Sequence, residues 1–282
     1  MLREPCASYL ILMRLNKPIG ILLLLWPTLW GLWLASQGQP QGKILAIFVI
    51  GVILMRSAGC IINDFADRHL DGHVKRTRDR PLACGKVSPR AALILAALLS
   101  FSAFLLVLFC NAFTIFLAFI GLALTSLYPL MKRFTHLPQC GLGVAFAWGI
   151  PMAFAAEVNQ LTAAAWFLFL TAMIWPIIYD TMYAMVDRED DQRAGIKSTA
   201  ILFNSMDKHI IALLQAVFVL MLIFVGIIFQ LHRIYYAALF VATLCFIYQQ
   251  WLIKDRDVTR CFRAFLNNNW VGLIIFLGIY LS

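Results

Sequence analysis

Nine apolar stretches, most about long enough to cross a bilayer, constrain this chain more than any other feature. They lie near residues 19–36, 43–63, 91–110, 112–130, 138–156, 162–183, 209–229, 234–252 and 266–282. A spanning helix needs about 20 mostly apolar residues, because a bare backbone cannot satisfy its hydrogen bonds in hydrocarbon. The bulk agrees: 62% of the 282 residues are apolar and 13% are charged, whereas a water-soluble domain is about a quarter charged. The expected fold is therefore all-α, a polytopic membrane protein forming one membrane-embedded unit over 1–282. The first stretch is too long for a signal peptide and lacks a small-residue cleavage site, so it counts as a span.

The loops test this reading. Of the 23 lysines and arginines, all but Lys43, Arg56 and Arg233 fall on one side when the nine stretches alternate across the membrane. Basic loops stay in the cytoplasm, which puts the N-terminus inside and the C-terminus outside. The net charge of +9 then points to anionic headgroups and acidic substrates rather than to nucleic acid. Seven scattered cysteines with no CxxC pair are read as small apolar residues, not as a disulfide or zinc framework.

The acids are concentrated. Nine of the fourteen fall in two places: Asp64, Asp67, Asp71 and Asp79 after the second stretch, and Asp180, Asp187, Glu189, Asp190 and Asp191 around the end of the sixth. Both places lie at the cytoplasmic edge. Within NDFADRHLD, residues Asn63, Asp67 and Asp71 recur every four positions, as do Asp187 and Asp191 in DREDD. On an α-helix this spacing stacks side chains on one face, about 6 Å apart along the axis. Like charges so placed repel. A hard divalent cation reverses the sign, and Mg2+ binds through one or two carboxylates together with substrate phosphates. Asp67, Asp71, Asp187 and Asp191 are thus the metal-ligating and catalytic candidates. Neither run has the glycine-turned loop of an EF-hand, which argues against calcium.

Basic residues stand near the acids: Lys75, Arg76, Arg78 and Arg80 in HVKRTRDRP, and Lys132 with Arg133 in a short loop. Guanidinium groups clamp phosphate through paired hydrogen bonds, lysines as point charges. Arg80 and Arg133 are the preferred candidates, although the positive-inside rule accounts equally for basic loops.

The runs NDFADRHLD at 63–71, DGHVKRTRDRPL at 71–82 and YDTMYAMVDREDD at 179–191 resemble the UbiA-type membrane prenyltransferases. LMRLNKPIGILLLLWPTLWGLW at 12–33, MKRFTHLPQ at 131–139 and GIKSTAILF at 195–203 extend that resemblance almost from end to end. It implies nine helices around a central cavity capped by cytoplasmic loops, and dependence on Mg2+. It also implies transfer of a long polyprenyl group from polyprenyl diphosphate to the ring carbon ortho to the hydroxyl of 4-hydroxybenzoate. That reaction belongs to ubiquinone biosynthesis in a bacterial inner membrane. Asn63, Asp67 and Asp71 match the first family motif, Asp187 and Asp191 the second, and Arg133 a basic position associated with diphosphate. Arg14 and Lys17 approach the first span, where contact with the acceptor carboxylate and interfacial snorkelling are both open. Tyr179 and Asp180 lie close enough in sequence to shape the pocket. The group that removes the ring proton is left open between a motif aspartate and the released diphosphate. A transporter, which would favour acids at the midplane, and a CDP-alcohol phosphotransferase, which would carry one dense aspartate motif, are the rivals from other classes.

Overall fold

The computed structural model describes residues 4–69, 71–73 and 76–282; Arg3 and Lys75 lie outside the described residues. Among these residues twelve α-helices run α1 (Glu4–Leu12), α2 (Ile19–Ala35), α3 (Gly42–Asp67), α4 (Pro89–Val107), α5 (Ala112–Leu127), α6 (Pro138–Ala147), α7 (Gly149–Val158), α8 (Ala163–Arg193), α9 (Thr199–Phe203), α10 (Asp207–Ile228), α11 (Arg233–Ile253) and α12 (Val258–Tyr280). Short 3-10 turns stand at Asp71–His73, Tyr128–Arg133 and Asn204–Met206. Among the described residues, eight helical segments are long and apolar enough to cross a membrane, with α6 and α7 counted as one. The first expected span is α2, a shorter apolar helix of 17 residues. The protein is a multi-pass membrane protein.

Helix starts follow local chemistry. Ser88, Asn111, Thr162 and Asp257 cap α4, α5, α8 and α12 by accepting from the backbone N–H three residues on, which satisfies donors that the first turn leaves free. Two elements differ from the expected stretches. The single span near 138–156 is broken at Trp148 into α6 and α7. Pro151 supplies the reason, since it has no N–H to offer the carbonyl of Ala147. The sixth span, expected to end near 183, continues as helix to Arg193 and carries the second acid cluster with it.

Helices α2, α6, α7, α9, α10 and α12 pack against α8. Trp175 on α8 stacks on Trp30 of α2 at a centroid separation of 5.3 Å and donates to Asn268 of α12 at 3.0 Å. Gly272 of α12 lets Trp175 and Trp26 approach, because a Cβ there would meet both rings. A second apolar cluster lies at the charged end of the bundle, where Leu12 of α1 packs with Ile61, Leu82, Val87, Ala92 and Ala96. It seats α1 and the segment after Arg76 over the mouth of the bundle. The sequence stretches had left α1 unmarked. At the other end, Gln41 N donates to Glu157 at 3.2 Å and Asn111 Nδ2 to the Ala155 carbonyl at 2.6 Å. The six described cysteines are all free.

Candidate active site

Both acid clusters sit at helix C-termini. Asn63, Asp64 and Asp67 close α3, while Asp187, Glu189, Asp190 and Asp191 fall in the last two turns of α8. A helix C-terminus carries partial negative charge and disfavours anions, so neither placement serves helix stability. Positive charge must be brought in from elsewhere, and the fold does so. Arg14, at the end of α1, donates to both oxygens of Asp64 at 2.9 Å. Arg80 reaches Asp64 at 3.0 Å and Asp71 at 2.9 Å. Lys132 pairs with Asp67. Arg76 holds Asp187 through Nη2 at 2.5 Å and Nε at 3.0 Å, its guanidinium 4.4 Å from the ring centre of Tyr183. Burial acts to lower the Arg76 pKa, but Tyr183, Asp187 and Asp191 together outweigh it, and the net shift is upward. Arg80 behaves alike: burial lowers, Asp64 and Asp71 raise by more. Both cations stay charged.

The i,i+4 geometry holds only in part. Asp187 and Asp191 share one face of α8, and Asn63 and Asp67 share one face of α3, but α3 ends at Asp67. Asp71 belongs to the following 3-10 turn. It returns to the site because Arg80 binds its carboxylate and Thr77 Oγ1 donates to its carbonyl at 2.9 Å.

A cavity of about 520 Å³ opens between the clusters. Asn63, Asp67, Asp71, Arg80, Lys132, Arg14, Lys17, Tyr179, Asp180, Asp187 and Asp191 all line it. Arg133 is the exception among the candidates. It donates to the Ala66 carbonyl at 2.6 Å and stands outside the lining, with Lys132 facing the cavity in its place. Consecutive residues of the Tyr128–Arg133 turn point different ways, and sequence spacing alone does not say which. The turn is fixed by Lys197 N, which donates to the Lys132 carbonyl at 3.3 Å. Thr199 in turn donates from its N–H to Gln139 at 3.1 Å and shares a hydroxyl hydrogen bond of 2.6 Å with Thr181 of α8.

Below the charged mouth the walls turn apolar and aromatic, with Leu23, Leu142, Phe146, Tyr179, Phe262 and Phe265. Arg56 lies among them, roughly three helical turns deeper on α3 than Asp67. Its guanidinium faces the Phe146 ring at 5.1 Å. Gly20 makes room for it, because a Cβ there would come within 2.7 Å of Nε. Arg56 Nε is buried without a hydrogen-bond partner, and among the described residues no carboxylate pairs with it. The sequence marks Arg56 as the one basic residue inside a span, and an intramembrane charge is a functional signal; the motif spacing had drawn attention elsewhere. Asp64, Arg76, Gln139 and Tyr183 are further lining residues that the spacing did not single out.

Two more buried atoms of cavity-lining residues lack partners: Asp67 Oδ1 and the Tyr179 hydroxyl. An unpaired carboxylate oxygen costs free energy unless something occupies its free side. The donors present are carboxylate oxygens, the ligand type a hard divalent cation takes, so the residues fit such a cation. Among the described residues no three acids, histidines or cysteines converge on one point. Each cluster therefore offers one or two carboxylates, leaving the remaining positions to water and phosphate.

Comparison with known proteins accords with this geometry. Residues 24–274 match the model of the UbiA prenyltransferase family. The chain is 54% identical over 281 residues to the 4-hydroxybenzoate octaprenyltransferase of Alkalilimnicola ehrlichii, covering 100% of this chain and 96% of that one. The fold matches the apo structure of a UbiA homolog from Aeropyrum pernix K1 with a TM-score of 0.82 and 24% identity, over 92% of this chain and 97% of that one. It also matches a UbiA homolog from Archaeoglobus fulgidus bound to GPP and Mg2+, with a TM-score of 0.72 and 16% identity, over 98% and 100% of the two chains.

Proposed function

The chain belongs to the UbiA prenyltransferase family, and from that premise we propose that it joins a long polyprenyl chain to 4-hydroxybenzoate. The donor is polyprenyl diphosphate, and the bond forms at the ring carbon ortho to the hydroxyl. The observation that carries this reading is one cavity with two ends of different chemistry. Two aspartate clusters and four paired cations ring its mouth, and Arg56, which among the described residues has no carboxylate in ion-pair contact, stands among aromatic walls below. A diphosphate suits the first end, and an aromatic carboxylate suits the second. The relatives' name supplies the acceptor and makes octaprenyl diphosphate the first donor to test.

The diphosphate lies between Asp67 and Asp71 on one side and Asp187 and Asp191 on the other, with Mg2+ as the cation those carboxylates hold. The A. fulgidus homolog bound to GPP and Mg2+ supports that choice. Bound there, the cation supplies Lewis-acid neutralisation of the leaving oxygens. Arg76, Arg80 and Lys132, already oriented by the same carboxylates, add donors to the departing diphosphate. Loss of diphosphate leaves an allylic cation, and Tyr179, Tyr183, Phe146 and Phe265 present ring faces and exclude water. Arg56 takes the acceptor carboxylate in a charge-assisted pair, which turns the ring so that the carbon beside the phenolic oxygen faces the cation. Asn63 and Lys17 complete the polar rim. The ring proton then leaves to a motif aspartate or to the released diphosphate. The prenyl tail stays in lipid, since each buried methylene contributes about 0.8 kcal/mol.

The same reading places nine spans in a bacterial inner membrane as one unit over 1–282, with α2 as the first span and the acid clusters at the cytoplasmic face. The direct test supplies membranes holding the protein with radiolabelled 4-hydroxybenzoate and octaprenyl diphosphate, with and without EDTA. A lipid-extractable product that requires Mg2+ is expected. Folded protein giving no product with any donor length would overturn the assigned acceptor.

A further inference from the structure

The acid run on α8 contains a residue that the chemistry of the cavity does not use. Arg188 follows Asp187 directly and is therefore turned about 100° from it around the helix. While Asp187 and Asp191 line the cavity, Arg188 reaches away to Asp207, the first residue of α10, whose side chain is completely buried. Asp207 also receives Arg256, from the turn between α11 and α12, at 2.8 Å through Nη2 and 3.0 Å through Nε. Its Oδ1 accepts from Lys208 N at 2.7 Å. Arg256 continues to the Ser205 carbonyl at 2.8 Å, and Lys208 Nζ to the Lys254 carbonyl at 2.7 Å. One buried carboxylate thus ties together the end of α8, the α9–α10 turn and the α11–α12 turn. Arg256 and Asn204, on two of those turns, take positive φ values of 57° and 45°. Such conformations cost free energy in non-glycine residues, and the contacts around Asp207 hold them.

The geometry points to Asp207 and Arg188 as positioning residues for metal binding. Asp207 clamps the last turns of α8 through Arg188 and so sets the rotation at which Asp187 and Asp191 face Asp67 and Asp71. The clamp touches neither substrate nor cation, and it rests on the reading of the cavity as a prenyl-transfer site holding a divalent cation. The need for it follows from the placement of Asp187, Asp190 and Asp191 at a helix C-terminus. Repulsion among them and from the helix dipole favours fraying or rotation of these turns. A charge-assisted bond from the opposite face, to a buried anchor, opposes both.

The test uses the full chain in lipid nanodiscs, with Mn2+ binding followed by electron paramagnetic resonance and hydrogen exchange measured over residues 187–193. Arg188→Gln keeps the Arg256–Asp207 pair and so preserves the fold. It is expected to weaken Mn2+ binding about tenfold or more, the usual cost of losing a group that orients a ligand, and to speed exchange over 187–193. Arg188→Lys is expected to recover part of the loss. Asp207→Asn, removing the anchor from the other side, is expected to match Arg188→Gln. Gln215→Leu, which disturbs the distant pair that Gln215 forms with Gln249 at 3.0 Å, serves as a destabilised comparator and should leave Mn2+ affinity unchanged. Unaltered Mn2+ affinity in folded Arg188→Gln overturns the clamp alone, as does an equal loss in Gln215→Leu. A wild-type chain that binds no Mn2+ overturns the reading of the cavity and the clamp with it.

Discussion

At the scale of single residues, the site is a problem of charge compensation. Asp67 is buried with one oxygen on Lys132 and the other unpaired, and Asp187 spends both oxygens on Arg76. Replacing either carboxylate by its amide keeps the shape but removes the anionic oxygens a hard cation takes. Asp67→Asn and Asp187→Asn are therefore expected to lose turnover by at least about a hundredfold, the scale set by a lost electrostatic contact to the leaving group. Both variants should remain folded in membranes, as size-exclusion profiles in detergent would show. Wild-type rates in either would remove that carboxylate from the proposed metal site. Arg56 poses the opposite case, a cation whose Nε is buried and unpaired and which, among the described residues, has no carboxylate in ion-pair contact. A hydrogen bond to a charged group contributes about 1.5–3 kcal/mol. Arg56→Gln should accordingly raise the KM for 4-hydroxybenzoate about tenfold or more while leaving the KM for the diphosphate donor unchanged. Equal effects on both substrates would place Arg56 elsewhere in the reaction.

At the scale of helices, packing depends on close approach. With no hydrophobic drive between helices in lipid, small residues that let backbones meet do much of the joining. Gly143 of α6 is such a point: a Cβ there would contact the Met173 carbonyl of α8, which is backbone and cannot rotate aside. Gly143→Ala is expected to destabilise the protein by about 1–3 kcal/mol, as overpacking does. A lowered Tm in detergent micelles would register this, and an unchanged Tm would mean that α6 can shift at little cost. This contact also bears on the site, because α6 supplies Gln139 and Phe146 and α8 supplies Tyr179 and Asp187. The apolar stretches located these helices well, yet they hid two features. Pro151 divides one stretch into α6 and α7, and α8 continues as helix beyond its apolar part. Hydropathy reports the solvent around a helix, not whether its hydrogen bonds continue.

At the scale of the whole molecule, the helices alternate so that both acid clusters and nearly all the cations gather at one end of the bundle. The proposed placement of that end in the cytoplasm has a direct consequence for labelling. Cys84 is exposed at the charged end, and the exposed loop after α7 holds Gln160 at the other. An impermeant maleimide applied outside should modify a Gln160→Cys variant and spare Cys84; the reverse pattern would invert the topology. The sequence by itself determined the membrane-spanning all-helical class, the family resemblance and the motif aspartates, because hydrophobic length, loop charge and residue spacing are all properties of local chain segments. Only the tertiary structure decided that Lys132 rather than Arg133 faces the cavity, and that Asp71 returns through Arg80 after α3 has ended. It alone placed Arg56 at the aromatic depth of the same cavity and turned Arg188 away toward Asp207. Each of these depends on the direction of a side chain relative to elements far off in sequence. Direction is fixed by packing and by long-range ion pairs, which no local pattern encodes.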